Sequence, residues 1–313
     1  GEDKDYANEA GSYLLTEEEL ENLSVLTSCF DQVAVLMNVS NIIDMSWVND
    51  PAYKGHITAI LYTWQGGMET GNAVADVLSG KVSPSGKLTD TIAKALSDYP
   101  AADNFGDEKQ NIYAEDIYVG YRYFETFCPE KVLYPFGYGL SYTTFETRVK
   151  GAVSDAEKIT ITAEVKNTGG CKGKEVVQVY VHAPQGTLGK PARELKAFTK
   201  TKELVPGETE ELTLVVPVKS LASYDDSGVT GQKSCYVLEQ GAYEFYVGDS
   251  VRATEKADID GKGAYEVKQL TMIEKLTEAL APVVAFDRLK PGACGEGGIY
   301  ETGKEAAPQR TVN

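Results

Sequence analysis

The stretch ITAILYTWQGGMETGNAVADVLSG, residues 57–80, decides the fold of the first half of this 313-residue chain. Its apolar beginning, Ile57 to Tyr62, has the length and composition of a buried strand. Gly66 and Gly67 then turn the chain into a helix, which Gly80 ends. The residues of this helix that are predicted to face inward are Ala73, Val74, Val77 and Leu78. A strand that leads through a glycine turn into a helix indicates an α/β layer.

The residues before this stretch predict another helix and another strand. Thr16 and Glu19 have the spacing of a capping box, which predicts a helix over residues 16–29. One face of that helix carries Leu20, Leu23 and Leu26. A short apolar run then predicts a buried strand over residues 33–39. The order helix, strand, strand, helix favours a parallel sheet covered by helices.

In the second half of the chain the apolar residues recur at every second position. Between Lys158 and Lys166 every second residue is apolar, which predicts a strand with one buried face. That face carries Ile159, Ile161, Ala163 and Val165. Further strands are predicted at residues 175–182, 194–198, 210–216, 235–238 and 243–247. Short alternating strands separated by turns predict an antiparallel β-sandwich of the immunoglobulin-like type.

The last part of the chain has a different composition. After Gly248 a polar linker is expected, followed by an amphipathic helix near residues 267–280. A glycine-rich tail then runs to Asn313.

The charge of the chain excludes one class of partner. It contains 30 basic and 47 acidic residues, which gives a net charge of −17. A field of that sign repels a phosphate backbone, so nucleic acid is not expected as a partner. No apolar run approaches the roughly 18 residues of a membrane helix, so no membrane partner is expected either.

Cysteine and histidine usage indicates neither a metal site nor a disulfide framework. The five cysteines are scattered without a metal-binding spacing, and the chain has only two histidines, His56 and His182. We therefore expect no cofactor, free thiols and structural roles for both histidines. The cysteine usage favours a cytoplasmic location.

Three groups of motifs follow one another in an order that is typical of one enzyme family. The first group is WQGGMETG (64–71), AVADVLSG (73–80) and PSGKL (84–88); the second is IYVGYRYF (117–124) and LYPFGYGLSYTTF (133–145); the third is PARELKAF (191–198) and LVPGE (204–208). They resemble, in turn, the second-domain signature, the bridge into the third domain and the fibronectin type III-like domain of glycoside hydrolase family 3. The resemblance covers about residues 1 to 250.

The resemblance implies a retaining β-glycosidase, with β-glucosidase as the expected activity and a terminal β-linked oligosaccharide or aryl glycoside as substrate. In this family a barrel supplies the aspartate nucleophile, and the α/β sandwich supplies the general acid/base. Family members place the acid/base glutamate in a Gly-Glu-x-x-Asp segment ahead of a capped helix. Here that segment starts at Gly1, so Glu2 is the expected catalytic residue. Asp3 and Tyr6 depart from the family pattern, which commonly has glycine and arginine there.

The expected fold class is therefore α/β plus all-β, a partial α/β sandwich followed by a fibronectin type III-like β-sandwich. The expected domains are residues 1–140, residues 141–250 and a linker with a helical tail at 251–313, which leads toward a missing barrel. Eight strand–helix units do not fit into this chain, so the nucleophile is expected on a barrel segment outside it. The barrel would then be a partner of this chain, which alone is expected to be inactive; a homo-oligomer is also possible.

Alternatives remain open at several positions. The chain could instead be a non-catalytic scaffold that binds a glycan or another protein, since fold alone does not decide function. Gly66 and Gly67 could help to hold an anion at a helix N-terminus, but a tight turn is favoured because the lysine of a phosphate loop is lacking. The tyrosines between Tyr118 and Tyr123 could stack on sugar rings, but packing is favoured.

Overall fold

The computed structural model describes residues 7–105, 109–278 and 281–309. The described residues form two compact units. The first unit contains residues 7–82, 90–105, 109–112 and 131–134, and the second contains 83–89, 113–130, 135–278 and 281–309. The chain therefore changes units after residues 82, 89, 112, 130 and 134. The domain limits expected from the sequence stay predictions.

The described residues contain three α-helices and five single turns of 3₁₀ helix. The α-helices are α1 (Glu17–Cys29), α2 (Thr70–Leu78) and α3 (Tyr121–Phe127). Single turns of 3₁₀ helix lie at Ser46–Asn49, Leu96–Asp98, Pro129–Lys131, Val218–Leu221 and Glu296–Gly298. The predicted capping box begins α1: the Glu19 N–H donates to Thr16 Oγ1 at 3.1 Å, and the Thr16 N–H donates to the Glu19 carboxylate at 2.8 Å. This exchange satisfies two donors that the first turn of a helix leaves unpaired.

Strands dominate the described residues. In chain order they are β1 (Val33–Met37), β2 (Ile57–Tyr62), β3 (Ile92–Ala93), β4 (Val132–Tyr134), β5 (Phe145–Ser154), β6 (Lys158–Asn167), β7 (Val176–His182), β8 (Glu194–Lys200), β9 (Thr209–Pro217), β10 (Ser223–Asp225), β11 (Cys235–Leu238), β12 (Gly241–Gly248), β13 (Thr254–Ala257), β14 (Tyr265–Val267), β15 (Thr271–Lys275), β16 (Asp287–Cys294) and β17 (Tyr300–Ala306).

The first unit is built on a parallel pair of strands. β1 and β2 run parallel. β3 and β4 form a separate antiparallel pair. The predicted α/β alternation is thus confirmed, and both strand positions are correct to within two residues. Buried side chains of this unit include Tyr13, Met45, Trp47, Ile92 and Ala93.

The prediction that α2 buries an apolar face is wrong for the described residues. No residue of α2 is buried, and Leu78 is 52% exposed. An amphipathic helix needs a sheet face or another helix to cover its apolar side. The parallel pair β1–β2 is only two strands wide, and it leaves α2 without such cover among the described residues.

The second unit contains the predicted antiparallel sandwich. One sheet has the strand order β5–β6–β9, and the other has the order β13–β12–β7–β8. The alternation predicted for β6 is confirmed, because Ile159, Ile161, Ala163 and Val165 are all fully buried. They form one apolar core with residues from the facing sheet, among them Val177, Val179, Phe245 and Val247.

The predicted helix near residues 267–280 is wrong where the structure describes it. β14 pairs with β12, and β15 pairs with β11, so this segment completes sheet edges. Apolar residues at Leu270, Ile273 and Leu276 imitate a helical period, but pairing with an existing strand outweighs that local preference. Residues 279 and 280 lie outside the described part of the chain.

The expected glycine-rich tail is a hairpin of β16 and β17. Arg288 on β16 joins it to other parts of the second unit, with its guanidinium bonded to both carboxylate oxygens of Asp226 at 2.5 and 3.0 Å. The same guanidinium lies 3.2 Å from the Asp116 carboxylate and 2.9 Å from that of Glu305 on β17. One arginine therefore links three carboxylates from three parts of the chain.

A buried ion pair holds the loop between β7 and β8. The Lys190 ammonium bonds to the Glu239 carboxylate, and both side chains are almost completely buried. The Thr187 N–H donates to the other carboxylate oxygen of Glu239 at 2.7 Å. Gly186, at φ +54°, packs so closely on this carboxylate that a side chain there would collide with it. Burial lowers the pKa of Lys190, and the bonds to Glu239 oppose this shift.

We expect Ile161→Ala to lower the free energy of unfolding of the sandwich by about 2–5 kcal/mol, because it removes a fully buried side chain and leaves a cavity. The control is Val153→Ala in β5, where the side chain is 61% exposed and the change should stay within about 0.5 kcal/mol. Urea denaturation followed by circular dichroism measures both. Equal losses in the two variants would contradict this assignment of the core.

Candidate functional site

The expected acid/base residue, Glu2, lies outside the described residues, as do Asp3, Asp5 and Tyr6. The role of Glu2 therefore stays a prediction. The described chain begins at Ala7, five residues after Glu2, and enters the first unit directly. The environment of the residues that follow Glu2 is thus the nearest part of the candidate site that has a defined geometry.

A tight turn follows at residues 7–14. The Tyr13 N–H donates to the Ala7 carbonyl at 3.1 Å, and Gly11 takes φ +76°, a conformation that glycine adopts at little cost. The Asp44 N–H donates to the Tyr13 carbonyl at 2.8 Å and so ties the turn to the segment after β1. Because the Tyr13 side chain is buried, this turn has a fixed place in the first unit.

Asp44 organises the segment to which the turn is tied. Its carboxylate accepts hydrogen bonds from the Ser46 N–H at 3.0 Å and the Ser46 hydroxyl at 2.8 Å. Its carbonyl accepts the indole N–H of the buried Trp47 at 3.0 Å. The Asp44 carboxylate and carbonyl thus both take part in hydrogen bonds that hold this segment together.

Two tyrosines interact inside the first unit. The Tyr99 hydroxyl donates to the Thr91 carbonyl at 3.0 Å and accepts the Ala93 N–H at 2.9 Å, next to β3. Burial raises the pKa of Tyr99 to about 12. Burial also raises the pKa of Tyr13, and the neighbouring Tyr99 adds to that shift. Both phenols therefore remain neutral at any physiological pH, and they connect the turn after Glu2 with the residues around β3.

Several polar and aromatic side chains lie at the carboxyl ends of β1 and β2 in the first unit. Because the strands are parallel, the segments that follow them lie side by side. The Tyr62 hydroxyl donates to the Asn41 carbonyl at 2.7 Å, and the Thr63 N–H and hydroxyl both donate to the Met37 carbonyl, at 2.9 and 3.0 Å. Ligands of α/β sheets bind at this edge, outside the carboxyl ends of the strands.

Trp64 stands at this edge in a strained conformation. Its φ is +52°, which is uncommon for any residue with a side chain and marks a backbone that its surroundings enforce. Its ring lies 4.4 Å from that of Tyr62, and its side chain is half-buried. An aromatic face that is partly open suits the apolar CH surface of a sugar ring. Trp64 begins the WQGGMETG motif, but the sequence predicts no separate role for it.

The glycine pair after Trp64 is a tight turn, as favoured from the sequence. Gly67 has φ +75°, and a Cβ on Gly66 would lie 2.5 Å from Thr70 Oγ1. The Thr70 hydroxyl donates to the Gly67 carbonyl at 2.7 Å and fixes the entry into α2. Close packing against the Thr70 side chain therefore explains Gly66, and the positive φ explains Gly67.

The tyrosines of the motif at residues 117–124 pack inside the second unit. Tyr118 is buried, with its ring 5.0 Å from that of Phe127 in an edge-on contact. The Tyr121 hydroxyl accepts the Leu195 N–H at 2.9 Å, and its ring lies 4.5 Å from that of Phe136. These contacts agree with packing and leave Tyr118 no surface for a sugar.

The residues that could have formed a metal site do not come together. No group of three or more His, Cys, Asp or Glu residues in the described ranges could hold a metal ion. His56 and His182 each bond through Nδ1 to a backbone carbonyl, of Phe30 and Ala192. The five cysteines, all in the described ranges, form no disulfide. None of the described helices has the length and apolar character needed to cross a membrane.

Comparison with protein families identifies two domains in this chain. Residues 1–142 match the family model described as the glycosyl hydrolase family 3 C-terminal domain, and residues 175–251 match the fibronectin type III-like domain. The chain therefore belongs to glycosyl hydrolase family 3, as its motifs predicted.

Relatives with known names and structures agree with this assignment. A β-glucosidase from Ruminococcus albus is 48% identical over 301 residues, which are 96% of this chain and 30% of the relative. The crystal structure of a β-glucosidase from Paenibacillus barengoltzii has 59% identity and a TM-score of 0.96, over 99% of this chain and 34% of that one. β-Glucosidase 3B from Thermotoga neapolitana has 38% identity and a TM-score of 0.75, over 86% of this chain and 36% of that one. The chain thus spans about a third of the length of these relatives.

We expect the fold to become less stable between pH 10 and pH 12 because of Tyr99. Its pKa rises from an ordinary value of 10.0 to about 12 in the folded state, mainly through burial. The folded protein therefore holds this proton more tightly than the unfolded chain, and the resulting stability is present below pH 10 and lost as the pH rises to about 12.

The measurement is urea denaturation of the native protein and of Tyr99→Phe at a series of alkaline pH values. The variant should show a shallower loss of stability across this range, since it has no phenol to ionise at that position. Parallel curves for the two proteins would contradict the raised pKa.

Proposed function

We propose that this chain is part of a retaining β-glycosidase, with β-glucosidase as its activity, and that Glu2 is the general acid/base. The observation that carries the proposal is that residues 1–142 match a glycosidase family and that named β-glucosidases align over almost the whole chain. Crystal structures of the relative from Thermotoga neapolitana contain glucose, which supports glucose as the sugar cleaved from the non-reducing end.

The proposed reaction needs two carboxyl groups. In a retaining glycosidase they lie about 5–5.5 Å apart: one attacks the anomeric carbon, and the other protonates the leaving oxygen and later takes a proton from water. Glu2 has the second role. Its acid form must persist near neutral pH for this role.

The nucleophile belongs to a barrel segment outside this chain, which is the proposed partner. The exposed apolar side chains of the first unit support a partner of this kind. They include Leu20, Leu26, Phe30, Leu36 and Leu78. Large apolar side chains that stay exposed on one compact unit support the presence of another part of the protein that covers them. The chain alone would then be inactive, and the domain limits 1–140, 141–250 and 251–313 belong to the same proposal.

Replacement of Glu2 in the complete enzyme tests the proposal. Glu2→Gln removes the acid without changing the size of the side chain. For an aryl β-glucoside with a poor leaving group, kcat/KM should fall about 10²- to 10⁴-fold. For 2,4-dinitrophenyl β-glucoside, which departs without a proton, formation of the intermediate should be much less affected. Added azide should accelerate breakdown of the intermediate, because this nucleophile needs no general base.

The matched control is Glu9→Gln, which changes an exposed glutamate in the turn after Ala7 and should leave the kinetics unaltered. A loss below tenfold on the poor leaving group in Glu2→Gln would exclude Glu2 as the acid. A complete enzyme without glycosidase activity, combined with glycan binding by this chain alone, would support the scaffold alternative instead.

A further inference from the structure

Two tyrosines stand side by side on the sheet of β10, β11 and β15 in the second unit. Tyr224 on β10 and Tyr236 on β11 are direct partners across the antiparallel pair. Their ring centres lie 5.3 Å apart, and the rings are tilted by 52°. The two residues are 37% and 38% exposed. They therefore form an open aromatic surface, to which the proposed function assigns no role.

A carboxylate extends this pair of tyrosines into a row. Glu274 on β15 is exposed and is the cross-strand partner of Tyr236. Directly paired residues of neighbouring strands carry their side chains on the same face, with Cβ atoms about 4.5–5.5 Å apart. Tyr224, Tyr236 and Glu274 thus follow one another across three strands, and they are here called the tyrosine row.

The connection between β10 and β11 is held rigidly beside this row. Asp225, next to Tyr224, is completely buried. Its carboxylate accepts the Gly228 N–H at 2.6 Å, and the N–H and hydroxyl of Thr230 at 2.9 and 2.6 Å. Its carbonyl accepts the Ser234 N–H at 2.7 Å, just before β11. A surface that is fixed before binding loses little conformational freedom on binding, which favours affinity.

The chemistry of the tyrosine row fits a neutral oligosaccharide. The CH-rich face of a sugar ring packs on an aromatic ring, and the sugar hydroxyl groups donate to a carboxylate. Ligand sites commonly combine aromatic side chains with a few placed polar groups. The separation of the two rings, 5.3 Å, is close to the length of one glucosyl unit in an extended β-linked glucan. Two successive sugars can therefore contact the two tyrosines.

The charge of the chain argues against other occupants of this face. With a net charge of −17, the chain repels a second copy of itself and any anionic polymer. Like charges that meet across an interface cost free energy, and Glu274 would add to that cost in a contact between copies. A neutral glycan avoids this repulsion and uses Glu274 as an acceptor.

We propose that the tyrosine row is a binding site for a neutral β-linked glucan chain. Tyr224 and Tyr236 pack on two successive sugars, and the Glu274 carboxylate accepts hydrogen bonds from sugar hydroxyl groups. The choice of a β-linked chain rests on the proposed function, since the substrate proposed there is β-linked. β10 and β11 lie within residues 175–251, so the site gives the fibronectin type III-like domain a binding function of its own.

The test measures the binding of cellopentaose to the complete enzyme by isothermal titration calorimetry. A fluoroglucoside that traps the intermediate first blocks the active site, so that only other sites are measured. We expect binding that weakens at least about tenfold in Tyr224→Ala and in Tyr236→Ala, because truncation of an aromatic side chain at the centre of a contact typically has an effect of this size. Glu274→Gln should weaken binding less, since its amide oxygen still accepts a hydrogen bond.

The matched control is Tyr113→Ala, which removes a tyrosine of the second unit that is 70% exposed. This variant should bind cellopentaose as the unchanged enzyme does, and circular dichroism checks that every variant is folded. Absence of binding, or equal binding by the control and by both variants of the tyrosine row, would overturn the proposal. Equal binding of maltopentaose, which is α-linked, would overturn the choice of a β-linked chain.

Hydrogen exchange tests the site without any substitution. In the unchanged enzyme, cellopentaose should slow the exchange of amides in β10, β11 and β15, and leave the hairpin of β16 and β17 unaffected. Protection that leaves β10 and β11 unchanged would overturn the proposal. An enzyme that cleaves no β-glucoside would instead overturn the proposed function. Calorimetry and hydrogen exchange on that enzyme, without the trapping step, would still decide whether the tyrosine row binds a glucan.

Discussion

The packing of two β-sheets against each other supports the rest of this structure. Ile159 and Ile161 on one sheet meet Val177 and Phe245 on the other, and all four are fully buried. Full burial of such a side chain contributes about 1.5–3 kcal/mol, and the core contains many of them. Residues 83–89, the hairpin of β16 and β17 and the loop around Lys190 all belong to the same unit as this core. They depend on it because each is held by polar contacts that need a rigid base.

Those polar contacts determine position more than they add stability. Removal of charges from water costs free energy that a buried ion pair only partly recovers. The largely buried ion pair of Lys87 and Glu175, 2.8 Å apart, and the guanidinium of Arg288 therefore contribute little net stabilisation. They do, however, select one arrangement, because any other arrangement leaves a charge buried without a partner. Apolar packing makes the second unit fold, and the ion pairs decide where its connecting segments lie.

The parts of the fold that were predictable from the sequence are those that local patterns determine. The alternation in β6 predicts its buried face because a strand exposes every second residue to one side. The Thr16 and Glu19 spacing predicts the start of α1 because both partners lie within one turn. The segment at residues 267–280 was predicted wrongly because its strands exist only by pairing with β11 and β12, which are distant in sequence.

The site was predictable in part for the same reason. Glu2 follows from a family motif and stays a prediction, since it lies outside the described residues. The conformation of Trp64 and the hydrogen bonds of Tyr99 were not predicted, because a positive φ and a buried hydroxyl between two backbone groups have no local sequence pattern. The roles of such residues depend on which segments the fold brings together.

The pair of Lys190 and Glu239 has a consequence for how this sequence can diverge. Loss of either residue alone leaves the other charge buried, which costs about 3–5 kcal/mol. Exchange of both for apolar residues of similar volume can be neutral. Two acceptable sequences are therefore separated by single-substitution intermediates that are poorly stable, and Gly186 restricts the path further because a side chain there would need the space of the carboxylate. A lineage can leave this arrangement only after other substitutions have raised the stability of the sandwich enough to tolerate such an intermediate.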